Sequence, residues 1–324
     1  MAYPATRMRR LRQTPVLRDM VQENTLSMDD LIYPIFIEEE VDAPAPISSL
    51  PGIMRHPEKD IAKVVKEAEE LGIRAIILFG VSHHKDTSGS DSFKKDGLLA
   101  RMIEKSKDAA PDMCIIADNC FCEYTDHGHC GIPSDDGVDN DRTLENLVKQ
   151  SLVCVEAGAD MLAPSGMMDG TIAAMREGLE EHNYGNMPIM AYASKMASSF
   201  YGPFRAAAGC ELKGDRKQYQ MNPANGREAI REALLDEAEG ADILMVKPGM
   251  PYLDVLRDLR DYTQLPLAAY QVSGEYAMIK FAAEAGALDE EKVMMESLLA
   301  FKRAGASLIL SYFAPQVAKL LREK

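Results

Sequence analysis

The sequence predicts an α/β fold, a (β/α)8 TIM barrel carrying an extended N-terminal arm. Three observations lead there. Four segments repeat one pattern, a helix end, a glycine and then an apolar run: EELGIRAIILFG, VEAGADMLAPSG, EAEGADILMVKPG and KRAGASLILSYF. Three more apolar runs follow a proline instead: PDMCIIADNC, MPIMAYASK and LPLAAYQVSG. Polar side chains recur at one fixed distance along these units.

Glycine closes each helix of the first set because it takes the left-handed conformation beyond a helix end at little cost. The apolar, β-branched runs that follow suit parallel strands buried on both faces. With LIYPIFIEE at the front, the units make eight strands separated by helical stretches. Eight βα units close into a barrel, with an open doubly wound sheet as the alternative. Residues 1–28 are basic, contain proline and lack apolar periodicity, so they read as an arm. No linker-like stretch interrupts residues 29–324, which read as one catalytic barrel domain.

Seven residues on from each punctuating glycine or proline stand Phe79, Asp118, Ser165, Lys195, Lys247, Ser273 and Tyr312. Each marks the place where a strand gives way to its βα loop, and barrel enzymes build their active sites on that face. Any one polar residue there could simply mark a strand end. Two lysines, an aspartate, two hydroxyls and a tyrosine on one rung are poorly explained that way.

The charge balance excludes some partners. With 36 basic against 51 acidic residues the net charge is −15, which disfavours a phosphate backbone as ligand. The one basic patch, Arg7, Arg9, Arg10, Arg12 and Arg18, is followed by no RNA-binding motif. No apolar run is long enough to span a bilayer and no signal peptide is apparent, so the expected setting is the cytoplasm. Thiols stay reduced there, so the six cysteines read as core residues or ligands rather than disulfides.

Lys195 and Lys247 end strands that should be buried, where an ammonium is expensive unless something uses it. Two ammonium groups facing one cavity disfavour each other's charge, as does desolvation. A neutral lysine amine attacks ketones and aldehydes to form Schiff bases.

After Asp118 comes DNCFCEYTDHGHCG, in which Cys120, Cys122 and Cys130 are spaced C-x-C-x7-C around His127 and His129. Soft thiolates select zinc, and three ligands leave a position open, as a catalytic site needs. A closed structural site would recruit a fourth, with a histidine as candidate; redox or merely buried cysteines are the plainer alternatives. Cys114, Cys154 and Cys210 lack ligand spacing and read as core or incidental. The segment SFYGPFRAAAGCELKGDRKQYQMNP follows the Lys195 strand directly and reads as a lid. Its arginines, Arg205 and Arg216, suit a substrate carboxylate, which a guanidinium grips as a planar fork. Lys213 and Lys217 fit a solvated basic stretch better than Arg205 does in its aromatic setting.

These motifs, taken together and in this order, resemble the porphobilinogen synthase (5-aminolaevulinate dehydratase) family from about Arg9 to Phe313. DNCFCEYTDHGHCG resembles that family's zinc loop and ASSFYGPFR its lid. MVKPG resembles its Schiff-base strand end, and YQVSGEYAM a further signature. The resemblance implies a barrel with an N-terminal arm, assembled as a homo-octamer, that condenses two 5-aminolaevulinate molecules to porphobilinogen in tetrapyrrole biosynthesis. It implies Schiff bases on Lys247, for the propionate-side substrate, and on Lys195, for the acetate-side one. Ser273 and Tyr312 would hold the first carboxylate, Arg205 and Arg216 the second, with Lys217 and Gln220 as helpers. Asp118 and Ser165 would assist proton transfer and orientation. Zinc would sit on Cys120, Cys122 and Cys130, and an activating magnesium on Glu232, although a glutamate in a first helical turn is also an ordinary dipole partner. A class I aldolase would share the barrel and the lysine but leave the cysteines unexplained; a zinc-binding interaction module would leave the polar ring unexplained.

Overall fold

In the computed structural model, which describes residues 2–135, 137–209, 212 and 214–322, eight parallel strands are arranged around one axis. They are β1 (Leu31–Glu38), β2 (Ala75–Val81), β3 (Cys114–Asn119), β4 (Met161–Pro164), β5 (Met190–Lys195), β6 (Ile243–Lys247), β7 (Leu267–Gln271) and β8 (Leu308–Ser311). Hydrogen-bonded neighbours run β4, β3, β2, β1, β8, β7, β6, β5. A parallel bridge between Leu162 and Ile189 joins the two end strands, with Leu162 N donating to the Pro188 carbonyl at 3.0 Å. The barrel expected from the sequence is therefore the barrel found, and the open sheet is excluded. Cys210 and Lys213 lie outside the described residues.

Helices pack around the strands: α1 (Ile61–Glu70), α2 (Leu98–Ala109), α3 (Asn140–Glu156), α4 (Thr171–Glu181), α5 (Gly226–Glu239), α6 (Leu253–Tyr262), α7 (Ser273–Glu284), α8 (Glu290–Ala304) and α9 (Ala314–Arg322). The four glycines that punctuate the repeat, Gly72, Gly158, Gly240 and Gly305, have φ of 81°, 98°, 104° and 127°. A side chain is strained at these angles, which is why glycine recurs there. The interior is packed rather than hollow. Ile77, Ile116, Leu162, Leu244 and Leu310 are buried, each contributing about 1.5–3 kcal/mol relative to an exposed side chain.

A repeated Gly-Ala-Asp fixes the lower rim of the barrel on the side where pairing is weakest. Asp160, just before β4, accepts from Ile115 N at 2.8 Å and from Lys107 Nζ at 2.8 Å. Asp242, just before β6, accepts from Ile189 N at 2.7 Å and pairs with Arg176. Each carboxylate satisfies a backbone N–H at a strand start that the ladder leaves unpaired, and a helix cation neutralises it.

The N-terminal residues behave differently. Their two short helical turns, Met8–Arg12 and Pro15–Met20, bury no residue against this chain. Tyr3, Met8, Leu11, Val16, Met20 and Val21 stand exposed, whereas Leu26 and Met28 pack against the core. A segment that buries none of its residues against its own barrel adds little to that barrel's stability. Deleting residues 1–25 should leave the thermal midpoint of the barrel nearly unchanged while lowering the assembly mass in light scattering. An unchanged mass would remove the arm from any role in assembly.

Candidate active site

The C-terminal ends of β3, β5 and β6 bring Asp118, Lys195 and Lys247 together. Lys195 and Lys247 are register partners on neighbouring strands, and both are buried. The pairing slips between Leu244↔Ala191 and Val246↔Ser194, inserting one extra residue into β5. Such a bulge re-aims side chains, and Tyr192 and Lys195, three residues apart, come to lie close, with Lys195 Nζ 5.4 Å from the Tyr192 ring centre. Lys195 Nζ also donates to the Ser165 carbonyl.

Lys247 sits in an aromatic box. Its Nζ lies 4.3 Å from the Tyr270 ring centre, 4.8 Å from Tyr192, 5.3 Å from Phe204 and 5.6 Å from Tyr201. Ring faces favour a cation, and so does the Asp118 carboxylate. Burial outweighs both, and the neighbouring Lys195 charge adds to it, so the Lys247 amine is pushed down to about 7. Asp118 is pushed up to about 6 by burial, against the pull of the two lysines and of the Ser165 hydroxyl, which donates to Oδ2 at 3.1 Å. The Tyr192 hydroxyl lies beside this carboxylate, yet neither it nor Asp118 Oδ1 has a partner in hydrogen-bond geometry. The site thus holds an amine and an acid that both change charge near neutrality, the arrangement that proton-transfer chemistry requires.

Cys120, Cys122 and Cys130 follow β3 and are all buried, with their sulfurs within 4.8 Å of one another. A tetrahedral site with zinc–sulfur bonds of about 2.3 Å spaces its sulfurs by roughly 3.8 Å, so the three residues could hold a metal of that kind. Cys120 and Cys122 sulfurs are 3.4 Å apart. Cys130 is held well below the ordinary thiol range by hydrogen bonding with the Cys120 and Cys122 side chains, with Arg216 adding positive charge nearby. The histidines take other roles. His127 bonds the Thr87 carbonyl at 3.1 Å and the His129 N–H at 3.1 Å, and His129 Nδ1 meets the Tyr219 hydroxyl at 3.1 Å. Both His127 nitrogens are thereby committed to backbone, and the metal-capable sets among the described residues contain no histidine.

The lid is down. Its first turns, Ser199–Tyr201 and Gly202–Ala207, place Phe204 against Phe79 at 5.2 Å and Phe36 at 5.8 Å, over the barrel mouth. Ser273 fastens it: its Oγ accepts from Phe204 N at 2.9 Å and donates to the Phe200 carbonyl at 3.3 Å. Gly274 makes this approach feasible, since a Cβ there would stand 2.5 Å from the Phe200 oxygen. Tyr312 is buried, with its hydroxyl 3.4 Å from that of Tyr270. Farther along the lid, Arg216 is buried and donates to the Gly128 carbonyl at 2.8 Å, and Tyr219 accepts from Cys130 N at 3.4 Å. Lid and cysteine loop are therefore interlocked. Arg205 is half-buried with an unpartnered Nε, and Gln220 is buried with an unpartnered Nε2.

Lys217 and Glu232 lie apart from this cluster. Lys217 is exposed and pairs with Asp215 at 3.6 Å. Both residues line a cleft of about 470 Å³ beside the mouth, with Gln220, Asp169 and Glu228, and neither Lys195 nor Lys247 lines it. Glu232, on α5, is held above the usual carboxylate range by burial and then by Asp169 and Glu228. Asp236, one turn on, is pushed up to about 7 by burial and by Glu239 and Glu232. Asp169, Glu228 and Glu232 share the cleft, but among the described residues their carboxylates do not form a three-donor metal-capable set.

Four residues of the site went unmarked in the sequence reading. Tyr192 and Tyr219 resembled ordinary apolar positions. Glu123 is buried, pushed up to about 7 by burial and by Asp118. Gln150, on α3, donates to the Cys120 carbonyl at 3.0 Å from a fully buried position.

A closed barrel with ionisable groups gathered at the strand C-termini defines an enzyme of the α/β-barrel class. The family model for delta-aminolevulinic acid dehydratase matches residues 5–320. A relative in Escherichia coli (strain K12), named delta-aminolevulinic acid dehydratase, is 58% identical over 318 residues, 98% of each chain. One of the same name in Staphylococcus aureus (strain Mu50) is 50% identical over 318 residues, 97% of this chain and 98% of its own. The solved structure of the Toxoplasma gondii ME49 enzyme, in complex with its reaction product porphobilinogen, superposes with a TM-score of 0.95 at 44% identity, covering 98% of this chain and 92% of its own. The chain belongs to the delta-aminolevulinic acid dehydratase family and is a lyase.

The depressed Lys247 amine has a direct consequence. Its neutral form accumulates as pH rises through about 7, whereas an exposed lysine waits until about 10.4. Carbamoylation of Lys247 by cyanate, followed by peptide mass, should climb through that lower range and level off. Asp118→Asn removes an anion that supports the charged form, so the limb should move to lower pH. A Lys247 profile that tracks exposed lysines would refute this assignment.

Proposed function

We propose that the chain condenses two 5-aminolaevulinate molecules to the pyrrole porphobilinogen with loss of water, an early step of tetrapyrrole and haem biosynthesis. The observation that carries this reading is the register pair Lys195 and Lys247, buried beside Asp118, in a chain whose relatives bear that enzyme's name.

Lys247 acts as a neutral amine on the ketone of the propionate-side substrate, expelling water as the imine forms. Lys195 forms the corresponding imine with the acetate-side substrate, again with loss of water. Asp118 accepts and returns protons at the imine carbons and nitrogens, and Ser165 fixes the orientation of its carboxylate. Ser273 and Tyr312 bind the first carboxylate; Arg205 and Arg216 bind the second, with Gln220 as a further contact, while Lys217, exposed and paired with Asp215 beside the neighbouring cleft, takes no part. Cys120, Cys122 and Cys130 would hold a zinc ion, which supplies Lewis-acid polarisation of the acetate-side substrate when bound. Phe204 and the lid exclude water, which would otherwise hydrolyse the imines. The proposed assembly is a homo-octamer joined through the N-terminal arms. No helix among the described residues is long and apolar enough to cross a membrane, and the proposed setting is the cytoplasm.

Borohydride reduces a Schiff base to a stable secondary amine, so trapping during turnover separates the two lysines. Lys247→Ala should lose most of the adduct and reduce pyrrole formation, scored colorimetrically, to background. Lys195→Ala and Cys122→Ala should keep an adduct on Lys247 while forming no pyrrole, because joining the molecules needs the second substrate in near-attack geometry. An adduct mapped only to a lysine outside the strand-end ring would overturn the mechanism.

Glu232 would contribute a carboxylate oxygen to an activating magnesium in the acidic cleft. Magnesium should then stimulate turnover without replacing zinc. Glu232→Ala should abolish the stimulation and keep the basal rate. A variant stimulated like the parent would make Glu232 an ordinary helix residue.

A further inference from the structure

Glu275, the third residue of α7, is fully buried, and no step proposed above employs it. Its two oxygens serve different loops. Oε2 accepts from the N–H of Val272, the residue before α7, as a glutamate at this position commonly does at a helix start. Oε1 reaches out of the helix and accepts from Met250 N at 2.6 Å, in the turn that leaves β6 just after Lys247. Gly249, beside Met250, donates to the Tyr270 carbonyl at 2.8 Å, and a Cβ on it would stand 2.4 Å from the Phe301 ring. This turn therefore lies hard against β7 and α8. Burial makes a charged carboxyl costly here, and the pulls that oppose it come from backbone N–H groups alone. An amide of the same size has a single acceptor oxygen and would turn its NH2 toward one of the two N–H groups. The carboxylate holds both loops at once.

We propose that Glu275 is a positioning residue that sets the span between the Lys247 amine and the Ser273 hydroxyl. One loop it holds begins directly after Lys247, and the other ends directly before Ser273. On the reading given above these two side chains take opposite ends of one substrate molecule, the ketone on Lys247 and the carboxylate on Ser273. Fixing their separation fixes the number of carbons that fits between them, so Glu275 selects the chain length of the keto acid without touching it. Near-attack geometry at the Lys247 amine then comes from the far end of the substrate being held at the matching distance. The inference rests on the proposed roles of Lys247 and Ser273.

The test uses the full-length protein and three ketones, each trapped with borohydride and mapped by peptide mass to Lys247. The first, 4-oxopentanoate, has the span of the substrate without its amino group; 5-oxohexanoate is one methylene longer, and 2-butanone has no carboxylate. Cyanate carbamoylation of Lys247, rising through about pH 7, reports that the amine and its aromatic box are intact. The parent should favour 4-oxopentanoate over 5-oxohexanoate by about 10-fold or more in half-saturating concentration. Glu275→Gln should keep the cyanate profile and the trapping of 2-butanone, yet weaken 4-oxopentanoate about 10-fold and narrow its preference over the longer acid. Should Glu275→Gln lose the cyanate profile, Glu275→Asp, which keeps two acceptor oxygens, is read in its place. Parent-like selectivity in a variant with an intact profile, an equal loss across all three ketones, or loss of the profile in both variants would overturn the positioning role and leave the roles of Lys247 and Ser273 standing. A parent that traps the two acids no better than 2-butanone would overturn the anchoring of the carboxylate and the inference with it.

Discussion

Everything at the barrel mouth follows from burying two lysines side by side. Two ammonium groups on adjacent strands, shut away from water, repel each other and lose their hydration. The molecule answers with Asp118 and a ring of aromatic faces, which support a charge, but not enough of it to restore an ordinary amine on Lys247. The remaining deficit is the reactivity of the site. An amine at about 7 beside an acid at about 6 can attack a carbonyl and move a proton within one pH range. Exposing Lys247 would restore its hydration and remove the largest cause of that property, so the covering segment and the strand burial are electrostatic devices as much as mechanical ones.

The lid in turn cannot be treated as a separate flap. Arg216 and Tyr219 tie its far end to Gly128, His129 and Cys130. Ser273 and Gly274 seat its near end on the start of α7. Raising the far end would withdraw the guanidinium that lies near the Cys130 sulfur and remove the Tyr219 contact to the His129 ring. Opening of the mouth and the electrostatics of the cysteine pocket are therefore mechanically linked through two side chains.

Much of this was legible in the sequence because burial and backbone geometry leave marks on residue type. A parallel strand buried on both faces must be apolar, so an ammonium at its end stands out, and a left-handed helix end must be glycine; Lys195, Lys247 and the four glycines announce themselves. Tyr192 does not, because its approach to Lys195 accompanies a bulge in β5, and a bulge has no signature in MAYASK. Gln150 and Tyr219 serve loops distant in sequence, through one and two hydrogen bonds that no local spacing encodes. Glu123 was in plain view inside the cysteine motif, but a glutamate between loop residues reads as solvated, and only the three-dimensional enclosure shows otherwise. Asp236 was similarly hidden: one turn from Glu232, it looks like a helix-surface acid until α5 turns it inward.

Ser273 carries the most consequential overlap between fastening and recognition. Its hydroxyl now engages the lid backbone twice, accepting from Phe204 N and donating to the Phe200 carbonyl. On the proposed assignment the same hydroxyl donates to a substrate carboxylate. A hydroxyl has one hydrogen to give, so binding the carboxylate takes the donation from Phe200 while leaving the Oγ lone pair free to keep Phe204 N. The lid would lose one of its two fastenings and keep the other, the one adjacent to the ring that covers Lys247. Substrate recognition would then loosen the front of the lid without lifting Phe204 from the amine. The imine would form in the same water-poor box that lowers the amine's basicity.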